Sequence, residues 1–387
     1  MKAVSERSRI PARPRAARLA VSVAFFVNGA LLASWVPHIP SVQAKLALGN
    51  GALGLALLLI AAGAVTALLL SGWLIGRLGS RRVTRIGTVL LAVSAPLLVA
   101  SPSLPLLIPF LLLFGAANGA MDVAMNAQGV AVEKRYPKPI LSSFHGLYSA
   151  GGLVGAGLGG IALSVGFRPQ LHMAAAALLL GGIGVAATAG LLPGRGEAPT
   201  GRPRLALPSR GVWGLCSLVF FCTIGEGAMA DWSALYLQKV MGAAPAVAAA
   251  GYTAFSLMMA VGRLSGDFLV TRLRAAPLIR ASALAAAAGL AAVLLLPFPA
   301  AGIAGFALVG IGLSNVIPIA FRAASNTAGL SPERGLASVA TVSYTGLLAG
   351  PPIIGFAAQA WTLRGGMGVV LLCAVLVALL APAARQS

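Results

Sequence analysis

Residues 49–82 read GNGALGLALLLIAAGAVTALLLSGWLIGRLGSRR, an apolar run that ends in a cluster of arginines. Residues 49–71 carry no charged side chain, and about 20 apolar residues are enough to cross a hydrocarbon layer of ~30 Å. Similar runs recur along the whole chain and predict helices near 19–38, 49–71, 84–102, 105–131, 141–165, 171–192, 212–238, 246–270, 277–297, 301–323, 336–358 and 362–382. The sequence therefore predicts an all-α membrane protein with twelve transmembrane helices.

The composition agrees with this prediction. Of the 387 residues, 58% are hydrophobic and only 9% are charged, whereas soluble domains carry roughly a quarter charged residues. The net charge of +20 comes from small basic groups between apolar runs rather than from one basic face, so we expect no nucleic-acid partner. The three cysteines lie inside apolar runs without metal-ligand spacing, and neither a metal nor a cofactor is expected.

Lysine and arginine predict the orientation, because short cytoplasmic loops carry an excess of them. With the N-terminus inside, all but four of the 28 basic residues fall at inside positions; the outside ones are Lys45, Arg168, Lys239 and Arg364. We therefore expect a multi-pass protein of the inner membrane with both termini in the cytoplasm and an uncleaved first helix.

The Gly-, Pro- and Arg-rich stretch 193–211 divides the chain into halves of six spans each. The predicted organisation is a tail 1–18, an N-terminal half 19–192, the linker, a C-terminal half 212–382 and a tail 383–387. The halves are related, because Gly115, Gly151 and Gly155 recur 195 residues later as Gly310, Gly346 and Gly350. Repeated six-span halves indicate an alternating-access transporter whose binding site lies between them at mid-membrane.

The loop after the second span carries a family resemblance. Gly72, Gly76, Arg77, Gly79, Arg81 and Arg82 resemble the signature G-x-L-x-D-R-x-G-R-R of the major facilitator superfamily, with Gly76 in place of the aspartate. The resemblance covers the full length and implies the major facilitator fold. In that family the acidic residue of the loop helps to hold the outward-facing state. Here Asp267, in the corresponding segment of the second half, is therefore expected to contribute more to holding that state.

Two further runs narrow the resemblance. The run from Asn118 to Gln128 and the run from Ser142 to Gly152 look like a bacterial group related to sugar (fucose-type) permeases. This group implies transport of a small solute, with a sugar-like molecule as the leading expectation.

Asp122 and Glu226 are the main candidates for proton coupling, since ionisable groups inside a membrane are costly and mark functional sites. Asn118 and Asn126 lie four residues on either side of Asp122 and share its helix face. Two plainer interpretations stay open: the polar stripe only bonds neighbouring helices, or Glu226 is a packing residue paired with an arginine.

The candidate substrate-binding residues combine amides and a carboxylate, which hydrogen-bond hydroxyl groups, with aromatic rings, which stack on a solute. They are Asn28, Trp35, Asn118, Asn126, Tyr148, Glu226, Tyr252, Asn315 and Tyr344.

The sequence carries no phosphate-binding G-x-x-x-x-G-K-S/T loop, which favours secondary transport, with proton-coupled symport first. Proton-antiport efflux of drug-like or metabolite substrates is the alternative, because Gly346-x-x-x-Gly350-Pro351 resembles an antiporter signature. A non-transporting membrane sensor is a further alternative of another class. No catalytic motif is present, so no enzyme is expected. The expected partners are the solute, protons and membrane lipid, and the protein is expected to be a monomer.

Overall fold

A computed structural model describes residues 12–137, 140–193, 208, 210–327 and 330–386. It contains twelve helical segments long and apolar enough to cross a membrane, which confirms the predicted number. In chain order, spans 1 to 12 are Ala12–Trp35 continued by Val36–His38 and Ile39–Lys45, Asn50–Leu78, Ser80–Ala100, Leu104–Glu133, Leu141–Ser164, Pro169–Ala187, Trp213–Lys239, Pro245–Arg272, Ala275–Leu295, Pro299–Leu313 continued by Val316–Ser325, Pro332–Ala360, and Leu363–Leu380.

Span 1 is longer than predicted. It begins at Ala12 rather than at residue 19 and continues beyond 38, through a 3-10 turn, to Lys45. Pro37 and Pro40 lie at the starts of the 3-10 turn and of the following short helix, where a missing amide hydrogen does least harm. Span 1 is therefore two α-helical segments joined by a 3-10 turn rather than one continuous α-helix.

Span 10 was predicted as one helix over 301–323 and is instead interrupted at Ser314 and Asn315. Pro318 explains the break, because its ring cannot coexist with the helical carbonyl four residues earlier, which is that of Ser314.

The two halves have the same internal arrangement. In the N-terminal half, span 1 packs against spans 5 and 6, span 4 against spans 2 and 3, and span 3 against span 6. In the C-terminal half, span 7 packs against spans 11 and 12, span 10 against spans 8 and 9, and span 9 against span 12. This correspondence confirms the prediction of two pseudo-symmetric six-helix halves.

The repeated glycines occupy equivalent contacts in the two halves. Gly115 of span 4 lies against the Ile60 carbonyl of span 2, and Gly310 of span 10 lies against the Phe255 carbonyl of span 8. At both positions a Cβ would collide with the facing backbone, so only glycine allows the helices to approach this closely.

The halves meet through spans 2 and 11 and through spans 5 and 8. Gly54 contacts the Pro351 carbonyl and Gly355, and a Cβ on Gly160 would stand 2.9 Å from the Ala249 side chain. Both contacts lie near the ends of the spans farthest from the chain termini. Near the other end of span 2, a Cβ on Gly72 or Gly76 would have no atom within 4 Å. The protein is thus closed at the end opposite its termini.

Candidate functional site

Asp122 lies near the middle of span 4 and is only partly buried. The Asn126 amide, one turn later, donates to the Asp122 carboxylate over 3.2 Å and to the Asp122 carbonyl over 2.9 Å. One turn earlier, the buried Asn118 Oδ1 atom has no hydrogen-bond partner among the described residues. The expected polar face of span 4 therefore places a carboxylate between two amides.

Glu226 in span 7 forms an ion pair with Arg263 in span 8, with 3.4 Å between the Arg263 Nη2 and Glu226 Oε2 atoms. The side chains are 22% and 37% exposed for Glu226 and Arg263, respectively, so the pair borders open space rather than being sealed in the core. The orientation count placed Arg263 with the basic residues at inside positions. That placement is wrong, because span 8 continues to Arg272 and Arg263 points at a carboxylate within the bundle.

Tyr148 of span 5 lies within electrostatic range of both charged groups. It lies close enough to Asp122, Glu226, Arg263 and Tyr252 to interact with each of them electrostatically. Tyr344 of span 11 similarly reaches Asp122. The structure thus brings candidate residues of spans 4, 5, 7, 8 and 11 into one polar layer between the halves.

Hydroxyl groups of spans 7, 8 and 11 extend this layer. The Thr223 and Ser343 hydroxyls lie 3.1 Å apart and join spans 7 and 11. Ser256 lies one turn from Tyr252 on span 8. Serine and threonine are common in membrane helices. Thr223 and Ser343 are therefore recognised as part of the polar layer only by their positions opposite one another.

Three substrate-binding candidates are buried in this conformation. Asn28 and Trp35 of span 1 are 0% and 4% exposed, and the Asn28 amide and the Trp35 Nε1 atom have no hydrogen-bond partner among the described residues. Asn315 donates to the Gly262 carbonyl over 3.0 Å and to the Ser314 hydroxyl over 3.1 Å, at the break in span 10. A solute that contacts these residues must do so in another conformation.

The signature loop is a turn of one residue, because span 2 ends at Leu78 and span 3 begins at Ser80. Gly79 has φ of 81°, which favours glycine. The Arg77 guanidinium lies 5.1 Å from the Trp73 ring centre, and Arg81 Nε donates to the Thr188 carbonyl over 2.9 Å. Arg82 is exposed. Asp267 belongs to span 8, but its side chain is outside the described part of the chain.

Two buried polar contacts hold the N-terminal half together. Gln128 donates to the Ser80 hydroxyl and the Leu192 carbonyl over 2.8 and 3.1 Å, and so fixes the chain after span 6. His38 and His172 join spans 1 and 6 through a 2.8 Å contact between Nε2 and Nδ1.

Two homologous six-helix halves around a central layer with carboxylates define a class of protein, the alternating-access membrane transporters. A profile of the Major Facilitator Superfamily matches residues 21–338. The chain is 38% identical over 361 residues to an uncharacterized MFS-type transporter of Yersinia pestis, covering 93% of this chain and 94% of that protein. It is 36% identical over 366 residues to the membrane protein MosC of Rhizobium meliloti, with 93% and 88% covered. The chain therefore belongs to the Major Facilitator Superfamily.

Solved structures share the fold. The nucleoside transporter NupG, as its D323A mutant, gives a TM-score of 0.74 at 14% identity, with 95% of this chain and 98% of that chain covered. A D-xylose-proton symporter gives 0.74 at 15% identity, with 95% and 97% covered. A bacterial homologue of the lysosomal transporter Spinster, inward-facing and unoccupied, also gives 0.74 at 15% identity, with 97% and 98% covered. Family and fold indicate a multi-pass membrane transporter rather than an enzyme.

Proposed function

We propose that this protein is a proton-coupled symporter that carries a small, sugar-like solute across the inner membrane as a monomer. The observation that carries the proposal is the placement of two carboxylates at mid-span, Asp122 in one half and Glu226 in the other, beside the tyrosines of the facing helices. Polar groups cost free energy inside a membrane and are retained where they line a transport pathway.

Asp122 is assigned the coupling proton. An ionised aspartate at the centre of a span costs about 2.5–3.5 kcal/mol on insertion scales, and a bound proton removes most of this cost. Asn126 stabilises the ionised form by donating to it over 3.2 Å. The carboxyl group therefore has a partner in the ionised form and a lower burial cost in the protonated one.

The Glu226–Arg263 pair is assigned to solute binding. A guanidinium has five N–H donors, and Arg263 shows a single 3.4 Å contact with Glu226 and an exposed fraction of 37%. Among the described residues, the other donors of Arg263 have no hydrogen-bond acceptor, so they can bind hydroxyl oxygens, and the carboxylate accepts from hydroxyl groups. Tyr148 and Tyr252 interact electrostatically with this pair, and a tyrosine ring beside polar groups suits a polyhydroxylated solute.

Two of the structural neighbours are named for polar, sugar-containing solutes, a nucleoside and D-xylose, and the latter is named as a proton symporter. At 14% and 15% identity this likeness concerns the fold. The likeness to these two structures supports a sugar-like solute only in combination with the polar layer of this chain. The fucose-type subgroup stays part of the same proposal.

The glycine motif that suggested antiport has a packing role in this structure. A Cβ on Gly346 would stand 2.8 Å from the Phe220 carbonyl of span 7, and the Pro351 carbonyl faces Gly54 of span 2. These contacts account for the motif without an efflux function, so symport is the preferred mechanism.

With cytoplasmic termini, the closed end of the protein is periplasmic and the structure is inward-facing. The test is uptake of radiolabelled D-xylose, L-fucose and uridine by proteoliposomes under an imposed inward proton gradient. We expect one of these solutes to accumulate, with acidification of the lumen. Under the same gradient, loss of preloaded solute from the lumen as protons enter would instead indicate antiport, and absence of flux for every solute would contradict the proposed class.

A further inference from the structure

The end of span 1 nearest the N-terminus carries two arginines on one helix face. Arg15, Arg18, Leu19 and Ser22 are spaced at i, i+3, i+4 and i+7, and together with Tyr136 they line a shallow groove of about 360 Å³. Positive charge, a hydroxyl group and an apolar side chain therefore share one surface.

The two guanidinium groups are available to a ligand. Arg18 lies 5.3 Å from the centre of the Tyr136 ring, and neither Arg15 nor Arg18 forms an ion pair with a described residue. The nearby acid, Glu133, already accepts hydrogen bonds from the amides of Ile140 and Leu141 over 2.6 and 2.7 Å. Glu133 therefore caps the start of span 5, and among the described residues it forms no ion pair with either arginine of the groove.

The apolar part of the groove faces away from the bundle. Leu19 is 67% exposed, while the neighbouring Ala16 and Ala20 face Gly190 at the end of span 6 and Phe25 stacks on Phe144 of span 5. Leu19 lies one turn deeper in the span than Arg15, on the membrane side of the arginine. A ligand that satisfies the whole groove must be anionic at the helix end and apolar one turn further in.

We infer that this groove binds the headgroup of an anionic phospholipid, with its phosphodiester between Arg15 and Arg18 and an acyl chain along Leu19. Guanidinium forks match phosphate oxygens in geometry and charge, and the Ser22 hydroxyl is a further donor. Basic pockets at the ends of membrane helices are suited to such lipids. A soluble anion would use the arginines but would gain nothing from Leu19.

The test measures thermal unfolding of the purified full-length protein in detergent, through labelling of the buried cysteines Cys216, Cys222 and Cys373 as they become exposed. Dioleoyl phosphatidylglycerol, dioleoyl phosphatidylcholine and inorganic phosphate are titrated separately. We expect phosphatidylglycerol to raise the unfolding temperature of the wild type more strongly than the other two ligands.

The Arg15→Gln/Arg18→Gln variant should need about thirtyfold more phosphatidylglycerol for the same shift in unfolding temperature. Each basic residue near an anionic surface raises the affinity for that surface roughly fivefold, and two such residues are removed. Arg280→Gln is the matched control, because Arg280 lines a groove of about 270 Å³ with no second arginine. It should leave the midpoint nearly unchanged. Equal stabilisation by phosphatidylcholine, an equal effect of phosphate, or an unchanged midpoint in the double variant would each overturn the inference. If the double variant does not fold, the single variant Arg18→Gln replaces it. Native mass spectrometry then compares the phosphatidylglycerol retained by Arg18→Gln with that retained by the wild type and by Arg280→Gln.

Discussion

The side-chain amide of Asn50 in span 2 donates a hydrogen bond to the carbonyl oxygen of Ala358 in span 11 over 3.3 Å. Within the N-terminal half, the Gln43 side-chain amide donates to Asn50 Oδ1 over 3.0 Å, and the Gly51 amide donates to Gln359 Oε1 over 3.4 Å. The two bonds to span 11 cross between the halves at the end where Gly54 contacts Gly355. Polar bonds and close glycine packing therefore close the same end of the protein.

Asn50→Ala should weaken this closed end. Removing an internal hydrogen bond changes a conformational equilibrium by about 0.5–1.5 kcal/mol, which is roughly two- to tenfold in population. Spin labels at positions 41 and 361 of a cysteine-free variant should show a larger population of long distances. Thr66→Ala is the control, because Thr66 in the same span bonds only its own helix, at the Ala62 carbonyl. Equal distance distributions in both variants would show that the bond does not stabilise closure.

The glycines of span 5 should separate packing from movement. Gly155 lies against the Ala30 carbonyl of span 1, within one half, whereas Gly160 faces Ala249 of span 8, across the halves. Gly155→Leu should lower the unfolding temperature, since overpacking costs about 1–3 kcal/mol or more. Gly160→Leu should leave the protein folded but unable to close, and therefore slow in transport.

Gly157→Leu is the control for both variants, because a Cβ at Gly157 would meet nothing within 4 Å. We expect near-normal stability and flux in this variant. Loss of folding in Gly160→Leu, or normal flux with normal stability in all three variants, would contradict the assignment of Gly160 to the moving interface.

The Glu226–Arg263 pair predicts an asymmetric pattern of variants. Arg263→Gln leaves a carboxylate without its partner and should lower stability by about 1–2 kcal/mol, less than for a sealed pair because the arginine is 37% exposed. Glu226→Gln should weaken solute affinity more than stability. The double variant should regain stability without regaining affinity, measured by thermal unfolding and by solute binding. Full affinity in Glu226→Gln would remove the pair from the binding site.

Much of the fold follows from the sequence, because hydropathy and the repeated glycines depend on residues close in the chain. The shift that pairs Gly115 with Gly310 predicted related halves, and the structure places the two glycines in equivalent contacts. Contacts between distant residues were not predictable in this way. Asn50 and Ala358 are 308 residues apart, and Arg263 was counted with basic residues at inside positions because its partner Glu226 lies on another span. The buried state of Asn28 and Asn315 likewise depends on how whole helices pack.

The orientation prediction is independent of the site. In a variant without Cys216, Cys222 and Cys373, single cysteines at positions 45, 168 and 364 should react with an impermeant maleimide added to intact cells. Cysteines at positions 81 and 135 should react only after permeabilisation. One loop with reversed reactivity would overturn the cytoplasmic placement of the termini and the inward-facing assignment.

The most direct test of the central claim is Asp122→Asn in proteoliposomes. The amide keeps the size and the hydrogen-bonding capacity of the carboxyl group but cannot exchange a proton, and it avoids the cost of a buried charge. For whichever of D-xylose, L-fucose or uridine the wild type accumulates, we expect Asp122→Asn to lose proton-driven accumulation and to retain exchange of labelled for unlabelled solute. Accumulation against a gradient at the wild-type level in Asp122→Asn would contradict this expectation and would transfer the coupling proton to Glu226.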